Sequence, residues 1–191
     1  MREYSEIVKL VASFLEENNI PYVIVGAISV AAWGSPRTSH DIDLMVALDQ
    51  NIEKFVDFLK KNDFHVSVDE VKAALKEKSH FTVFDELSIF RLDVKGVYTE
   101  FDKDTLERRR KVKLYDQDIW VSSPEDLILA KINFGSEQDL NDARSVILRQ
   151  KSLDMNYLRK KARELGMYDK LVKLLKETEE NLNKFSLTSL L

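Results

Sequence analysis

Residues 41–46 read Asp-Ile-Asp-Leu-Met-Val, and this alternation constrains the chain more than any other stretch of it. Successive side chains of a strand point to opposite faces, so Ile42, Leu44 and Val46 pack one way while Asp41 and Asp43 point the other. Two carboxylates at i and i+2 stand about 7 Å apart along the backbone. A strand packed on its apolar side that presents two acids on the other is either a cleft wall or an unusual polar face. Oxygen donors placed this way suit a hard divalent cation. An Asp-x-Asp also arises by chance on solvated strand edges, so its neighbours must decide.

The preceding residues carry that decision. Tyr22-Val23-Ile24-Val25 is a short apolar, β-branched run suited to a buried strand. Gly26 follows at once, and Ala27 to Trp33 form a short helix that is apolar all round, with no acid in its first turn. The free N–H groups at such a helix start favour an anion, a phosphate above all. Gly34-Ser35-Pro36 breaks the helix, and Arg37 and Thr38 then place a fixed cation and a hydroxyl just before Asp41. A third acid, Asp93, lies in the alternating run Phe90-Arg91-Leu92-Asp93-Val94-Lys95, which pairs naturally beside the Asp41 strand. Flanking Arg91 and Lys95 fit a charged solvent face equally well. In a catalytic reading Asp93 is general base on an acceptor hydroxyl, a second-metal ligand, or both. A phosphate-binding helix end, a cation and an acid pair are the parts that phosphoryl or nucleotidyl transfer requires.

In this order, Val25-Gly26-Ala27, Gly34, Arg37-Thr38 and Asp41-Ile42-Asp43-Leu44 resemble the signature of the nucleotidyltransferase superfamily. The strongest likeness is to the abortive-infection type, which includes toxins of toxin–antitoxin pairs. Aminoglycoside and lincosamide nucleotidyltransferases are similar in the same elements. The resemblance implies a two-metal Mg²⁺ site, with Mn²⁺ as a substitute, held by Asp41, Asp43 and Asp93. It further implies transfer of a nucleoside monophosphate from an NTP with release of pyrophosphate. Gly26, Ala27, Ser29, Arg37, Thr38 and Lys131 are the expected nucleotide-binding residues. The family usually carries a second glycine or a serine where this chain has Ala27. Alanine keeps the N–H, loses the hydroxyl and adds a methyl; Ser29 is either its substitute or a small packing residue. The acceptor is open between RNA, a protein hydroxyl and a small molecule, and a cognate antitoxin is an expected partner of a toxin-like member. The rival reading is a nucleotide- or protein-binding module that keeps the scaffold without turnover.

The rest of the chain frames this segment. Helical spacing predicts a helix over residues 3 to 17 and another from Ile52 to Leu59. Strands are expected at 64–68, 80–84, 87–97, 111–115 and 118–121, with a short helix at 71–76. Ser123-Pro124-Glu125-Asp126 opens an all-helical remainder: a Ser cap, proline in the first turn, and acids against the helix dipole. Leu140, Ala143 and Ile147 mark the next helix there, and Tyr168, Leu171, Val172 and Leu175 the last. The expected fold is α/β (α+β): a mixed sheet flanked by helices over 1–122, then a helical subdomain over 123–191. Lys131 falls within an apolar stripe, so it either snorkels to the surface or faces the cleft; Asp139 and Asp142 either hold it or Arg144, contact a ligand, or are surface acids.

Composition narrows the function classes. A net charge of −4 argues against a general nucleic-acid coat, although Arg-Arg-Arg-Lys-Val-Lys at 108–113 is either a solvated face or a polyanion patch. The chain has no cysteine, and its three histidines lack a ligand spacing, so disulfides and a zinc site are not expected. The first helix is too polar for a signal peptide, and no long apolar run is present. A cytoplasmic location without membrane association is the expectation.

Overall fold

The structure is a computed structural model that describes residues 1–188, with side chains through residue 182. Its contacts group the chain into two compact units. The first combines Met1–Ile28 with Arg37–Ser122; the second combines Ser29–Pro36 with the chain from Ser123 onward.

The first unit is built on one seven-stranded mixed sheet. Its strands are β1 (Tyr22–Ile24), β2 (Asp41–Val46), β3 (Phe64–His65), β4 (His80–Asp85), β5 (Arg91–Lys95), β6 (Arg110–Leu114) and β7 (Gln117–Val121). They lie in the order β3-β4-β5-β2-β1-β7-β6. The central strands β1 and β2 are antiparallel, whereas β2 runs parallel to β5 and β1 to β7. The apolar alternation sets the sheet's core face: Ile42, Leu44, Leu92 and Val94 are each at most 2% exposed. Burying each such side chain contributes about 1.5–3 kcal/mol, so a one-residue register slip in β2 or β5 is strongly disfavoured. Edge strand β6 carries Arg110, Lys111 and Lys113, charges that blunt an otherwise open row of backbone groups.

Helix α1 (Tyr4–Glu17) buries Ile7, Val8, Val11, Ala12 and Leu15, the stripe its periodicity predicts. Asn18 caps it, and Asn19 takes a positive φ of 52° ahead of Pro21. Helix α2 (Gly26–Trp33) begins in the first unit and ends in the second. Helices α3 (Ile52–Lys61), α4 (Val68–Lys76) and α5 (Glu100–Glu107) complete the first unit. Three elements differ by several residues from the sequence reading. The strand expected at 64–68 ends at His65, because Ser67 starts α4 earlier than expected, and the strand expected at 87–97 is confined to Arg91–Lys95. Ser88 turns the chain there, its Oγ bonding Asp85 and accepting the Phe90 N–H.

The second unit's main elements are α6 (Pro124–Phe134), α7 (Glu137–Arg149), α8 (Met155–Glu164) and α9 (Tyr168–Thr188). Ser123 caps α6 as its sequence predicts, Oγ accepting the Asp126 N–H at 3.1 Å. The helix marked by Leu140, Ala143 and Ile147 is α7; its buried residues are Asp142, Ala143 and Val146, with Asp142 held by the buried Lys131. In α9 Leu171, Leu174 and Thr178 are buried while Val172 is 44% exposed; the Thr178 hydroxyl is satisfied by donating to the Leu174 carbonyl. Among the described residues no helix is long and apolar enough to cross a membrane.

Candidate active site

The site is assembled by strand register. In the parallel pairing of β2 and β5, Asp43 lies opposite Asp93 and Asp41 opposite Arg91. Paired strands stand about 4.8 Å apart, so Asp43 and Asp93 are immediate neighbours on the face away from Ile42, Leu44, Leu92 and Val94. Asp41 shares that face two residues away. The three acids that were separate candidates in sequence are thus brought together on one polar patch of an otherwise apolar strand pair.

Gly26 abuts this patch. Its φ is +62°, and a Cβ built on it would lie 1.9 Å from Asp43 Oδ2 and 2.7 Å from its Cγ. Only glycine lets the start of α2 lie against the Asp43 carboxylate. The Val25 N–H also donates to the Asp43 carbonyl at 2.9 Å, tying the β1–α2 junction to the same residue. The first turn of α2 holds no acid, leaving its dipole uncancelled at the carboxylate end.

Asp93 has a partner that the sequence reading did not name. Thr82 on β4, in register with Asp93, donates its hydroxyl to Asp93 Oδ1 at 2.7 Å. The alternation of β4 could have singled it out: Phe81 and Val83 are buried, which turns Thr82 to the opposite face. Tyr4 opens α1. Its hydroxyl donates to the Asp41 carbonyl at 3.0 Å, and its ring packs edge-on against Phe90. Burial above all, then Tyr115, Asp43 and Asp41, pushes the Tyr4 phenol well above its ordinary value, so it stays a neutral donor. Ser39 Oγ both donates to the Asp41 carbonyl and accepts its N–H, fixing the turn into β2.

Arg91, which sequence alone matched to a solvent face, faces the acids. Its Nε lies 2.8 Å from Asp41 Oδ1 and 3.7 Å from Asp93 Oδ2. The same Nε makes no hydrogen bond although it is sheltered from solvent, so the N–H is not aimed at the oxygen it touches. Arg91 therefore balances the acids by charge rather than by directed hydrogen bonding. Among the described residues no three acidic or imidazole groups converge tightly enough to form a ready metal cage in this arrangement. The donor set itself fits a hard divalent cation: three carboxylates, oxygen only, with two in register on adjacent strands.

The remaining candidates are placed as follows. Arg37 and Thr38 lie in the exposed loop before β2, where an Arg37 guanidinium N–H contacts the Thr38 carbonyl at 3.4 Å. Ala27 and Ser29 are buried along α2, at 5% and 0% exposure. Lys131 belongs to the second unit and is 6% exposed; its Nζ lies 2.8 Å from Asp139 Oδ1 and 2.9 Å from Asp142 Oδ2. Burial works to raise the Asp139 carboxyl, but the Lys131 ammonium and the Ser136 hydroxyl outweigh it and hold it below the usual carboxylate range. In the basic run, Arg109 and Lys111 both stack on Trp120, at 4.7 and 5.1 Å from the ring centroid.

The sheet thus sets three acids across two parallel strands, with a glycine-led helix against them. Residues 3–185 match the family described as nucleotidyltransferase of unknown function (DUF6036), and the chain belongs to that family. No curated protein matches the sequence at a significant level. Solved structures share the fold at low identity. An antigenic nucleotidyltransferase-like protein from Paracoccidioides brasiliensis is 20% identical, with a TM-score of 0.57 over 90% of this chain and 91% of its own. Lincomycin-bound lincosamide antibiotic adenylyltransferase LnuA is 16% identical, with a TM-score of 0.53 over 78% and 99%. ANT(2'')-Ia in complex with adenylyl-2''-tobramycin is 11% identical, with a TM-score of 0.57 over 93% and 98%.

Proposed function

We propose that this protein transfers a nucleoside monophosphate from an NTP to an acceptor hydroxyl in a Mg²⁺-dependent reaction. The observation that carries the reading is the β2–β5 register, which sets Asp43 beside Asp93 on the face that Asp41 shares. In this reading Asp41, Asp43 and Asp93 would hold the metal, which would supply charge neutralisation when bound. The start of α2 at Gly26 and Ala27 receives a phosphate through backbone N–H groups, and Arg37 and Thr38, from the loop before β2, are further candidate contacts. Asp93, oriented by Thr82, accepts the proton of the acceptor hydroxyl as its oxygen bonds to the α-phosphorus. The bond from the α-phosphorus to the bridging oxygen breaks, and pyrophosphate leaves. Lys131 already shares its charge between Asp139 and Asp142, so contact with a phosphate would require exchanging those partners.

Ala27 gives this family member a phosphate contact made by backbone alone. The rival reading, binding without turnover, draws its support from that residue. LnuA holds lincomycin and ANT(2'')-Ia an adenylylated tobramycin, so hydroxylated small molecules are the first acceptor class to test. RNA and protein hydroxyls are the other arms, and a toxin-like role corresponds to either of them. The test incubates the protein with each α-labelled NTP, Mg²⁺ and the three acceptor classes. The expected result is label on an acceptor with the wild type and none with Asp41→Ala/Asp43→Ala of unchanged circular dichroism. Label transferred equally by the double variant would sink the assignment. Calorimetric binding of Mg·NTP with no transfer to any class would favour the rival.

A further inference from the structure

We propose that Arg91 is a tethered counter-cation that competes with the divalent metal for the acid cluster and must release Asp41 before the metal can bind fully. The inference rests on the metal-binding reading above and concerns a residue that reading does not use. Arg91 and Asp93 lie two residues apart on β5, on the same face, and Arg91 lies opposite Asp41 in the register. This places the guanidinium stem directly over the acids without a loop or lid having to move. Its Nε reaches both Asp41 Oδ1, at 2.8 Å, and Asp93 Oδ2, at 3.7 Å, so one positive charge bridges two of the three proposed ligands.

Two further features mark the contact as exchangeable. The Nε–H makes no hydrogen bond, so Coulomb attraction is gained without the directed geometry that makes arginine–carboxylate pairs persistent. Although its Nε is sheltered, the Arg91 side chain as a whole is 43% exposed, so its guanidinium end has water to swing into when Asp41 is released. The contrast is Thr82, which holds the other oxygen of Asp93 through a directed 2.7 Å hydrogen bond and can stay when the cation changes. Without metal, three like charges on neighbouring strands would repel, and Arg91 offsets that repulsion. With metal, the same charge stands in its way. The device keeps the apo site folded while lowering its affinity for a free cation.

The test measures Mn²⁺ binding without nucleotide, by the loss of the free-ion electron paramagnetic resonance signal, for wild type and Arg91→Gln. Lys103→Gln serves as the net-charge control, because it removes one cation from the exposed pair with Glu100 on α5. Breaking an exposed ion pair that a metal must displace tightens binding roughly fivefold. The expected result is Mn²⁺ affinity roughly fivefold higher for Arg91→Gln and unchanged for Lys103→Gln. A parallel melt should show Arg91→Gln unfolding below wild type in EDTA and matching it in saturating Mn²⁺; a purely structural arginine would lower both melts equally. Equal or weaker Mn²⁺ binding by Arg91→Gln overturns the counter-cation role and leaves the metal reading standing. Binding by neither protein, with Asp41→Ala/Asp43→Ala indistinguishable from both, overturns the metal reading and the inference with it.

Discussion

Gly26→Ala separates what the backbone needs from what the site needs. At φ +62° a non-glycine residue pays for left-handed backbone, about 1–2 kcal/mol. The new methyl would also lie 1.9 Å from Asp43 Oδ2, 2.7 Å from Cγ and 3.1 Å from Cβ. A comfortable carbon–oxygen approach is about 3.3 Å, so the carboxylate must retreat by more than about 1 Å. Because Cγ and Cβ are crowded too, the whole short side chain must turn. Gly166→Ala is the matched control: its φ is +68° and a Cβ there meets nothing within 4 Å. Both variants should therefore lose about 2–8 °C in Tm, the backbone term at about 2–4 °C per kcal/mol for a chain of this size. Only Gly26→Ala should lose transfer, by about 100-fold, the usual penalty for displacing a reacting group by about 1 Å. Calorimetric melts and initial rates of label transfer read the two effects separately. Wild-type rates in Gly26→Ala, or an equal loss in Gly166→Ala, would refute the claim that Gly26 is required for Asp43.

Other substitutions probe the supports of the site and the second unit. Thr82→Val removes the hydroxyl that orients Asp93 and should lower kcat roughly tenfold with little change in KM, since hydrogen bonds to charged groups are worth about 1.5–3 kcal/mol. Lys131→Met leaves Asp139 and Asp142 facing each other without their cation and should destabilise the fold by about 3–5 kcal/mol in denaturant titrations. Asp102 on α5 titrates below the usual carboxylate range: burial works to raise it, but the Lys95 ammonium and the Tyr98 and Thr99 N–H groups outweigh that. A carboxyl depressed in the folded state contributes stability above its unfolded value, about 3.9, and loses it as pH falls through the lower folded value. Acid titration should therefore show stability falling below about pH 4, with a shallower fall in Asp102→Asn.

Much of this site was legible because it is written in periodicity. The two-residue repeat of strands put Asp41 and Asp43 on one face, and the same repeat in Phe90–Lys95 put Asp93 on a matching one. Gly26 was legible as a helix start, since nothing else follows a buried strand so abruptly. What stayed hidden depends on partners distant in sequence. Arg91 looked like the flank of a solvent face because its meaning comes from Asp41, fifty residues earlier, through a parallel register that no local pattern specifies. Thr82 was one hydroxyl among many until β4 paired with β5. Lys131 looked anomalous in an apolar stripe, and only the packing of α7 on α6 explains it, by supplying two carboxylates. That same pairing turns Asp142 inward beside Ala143 and Val146, so the buried face of α7 includes a carboxylate that apolar spacing alone does not mark.

The central claim, that Asp41, Asp43 and Asp93 form one metal–nucleotide site, is tested most directly by crystallography. Crystals grown with Mn²⁺ and an NTP whose α,β-bridging oxygen is replaced by methylene would be measured at a wavelength where manganese scatters anomalously. The account predicts an anomalous peak within ligand distance of all three carboxylates, with Arg91 withdrawn from Asp41 and a phosphate at the start of α2. An anomalous peak elsewhere, or a nucleotide bound with Arg91 still on Asp41 and no metal at the acids, would contradict it.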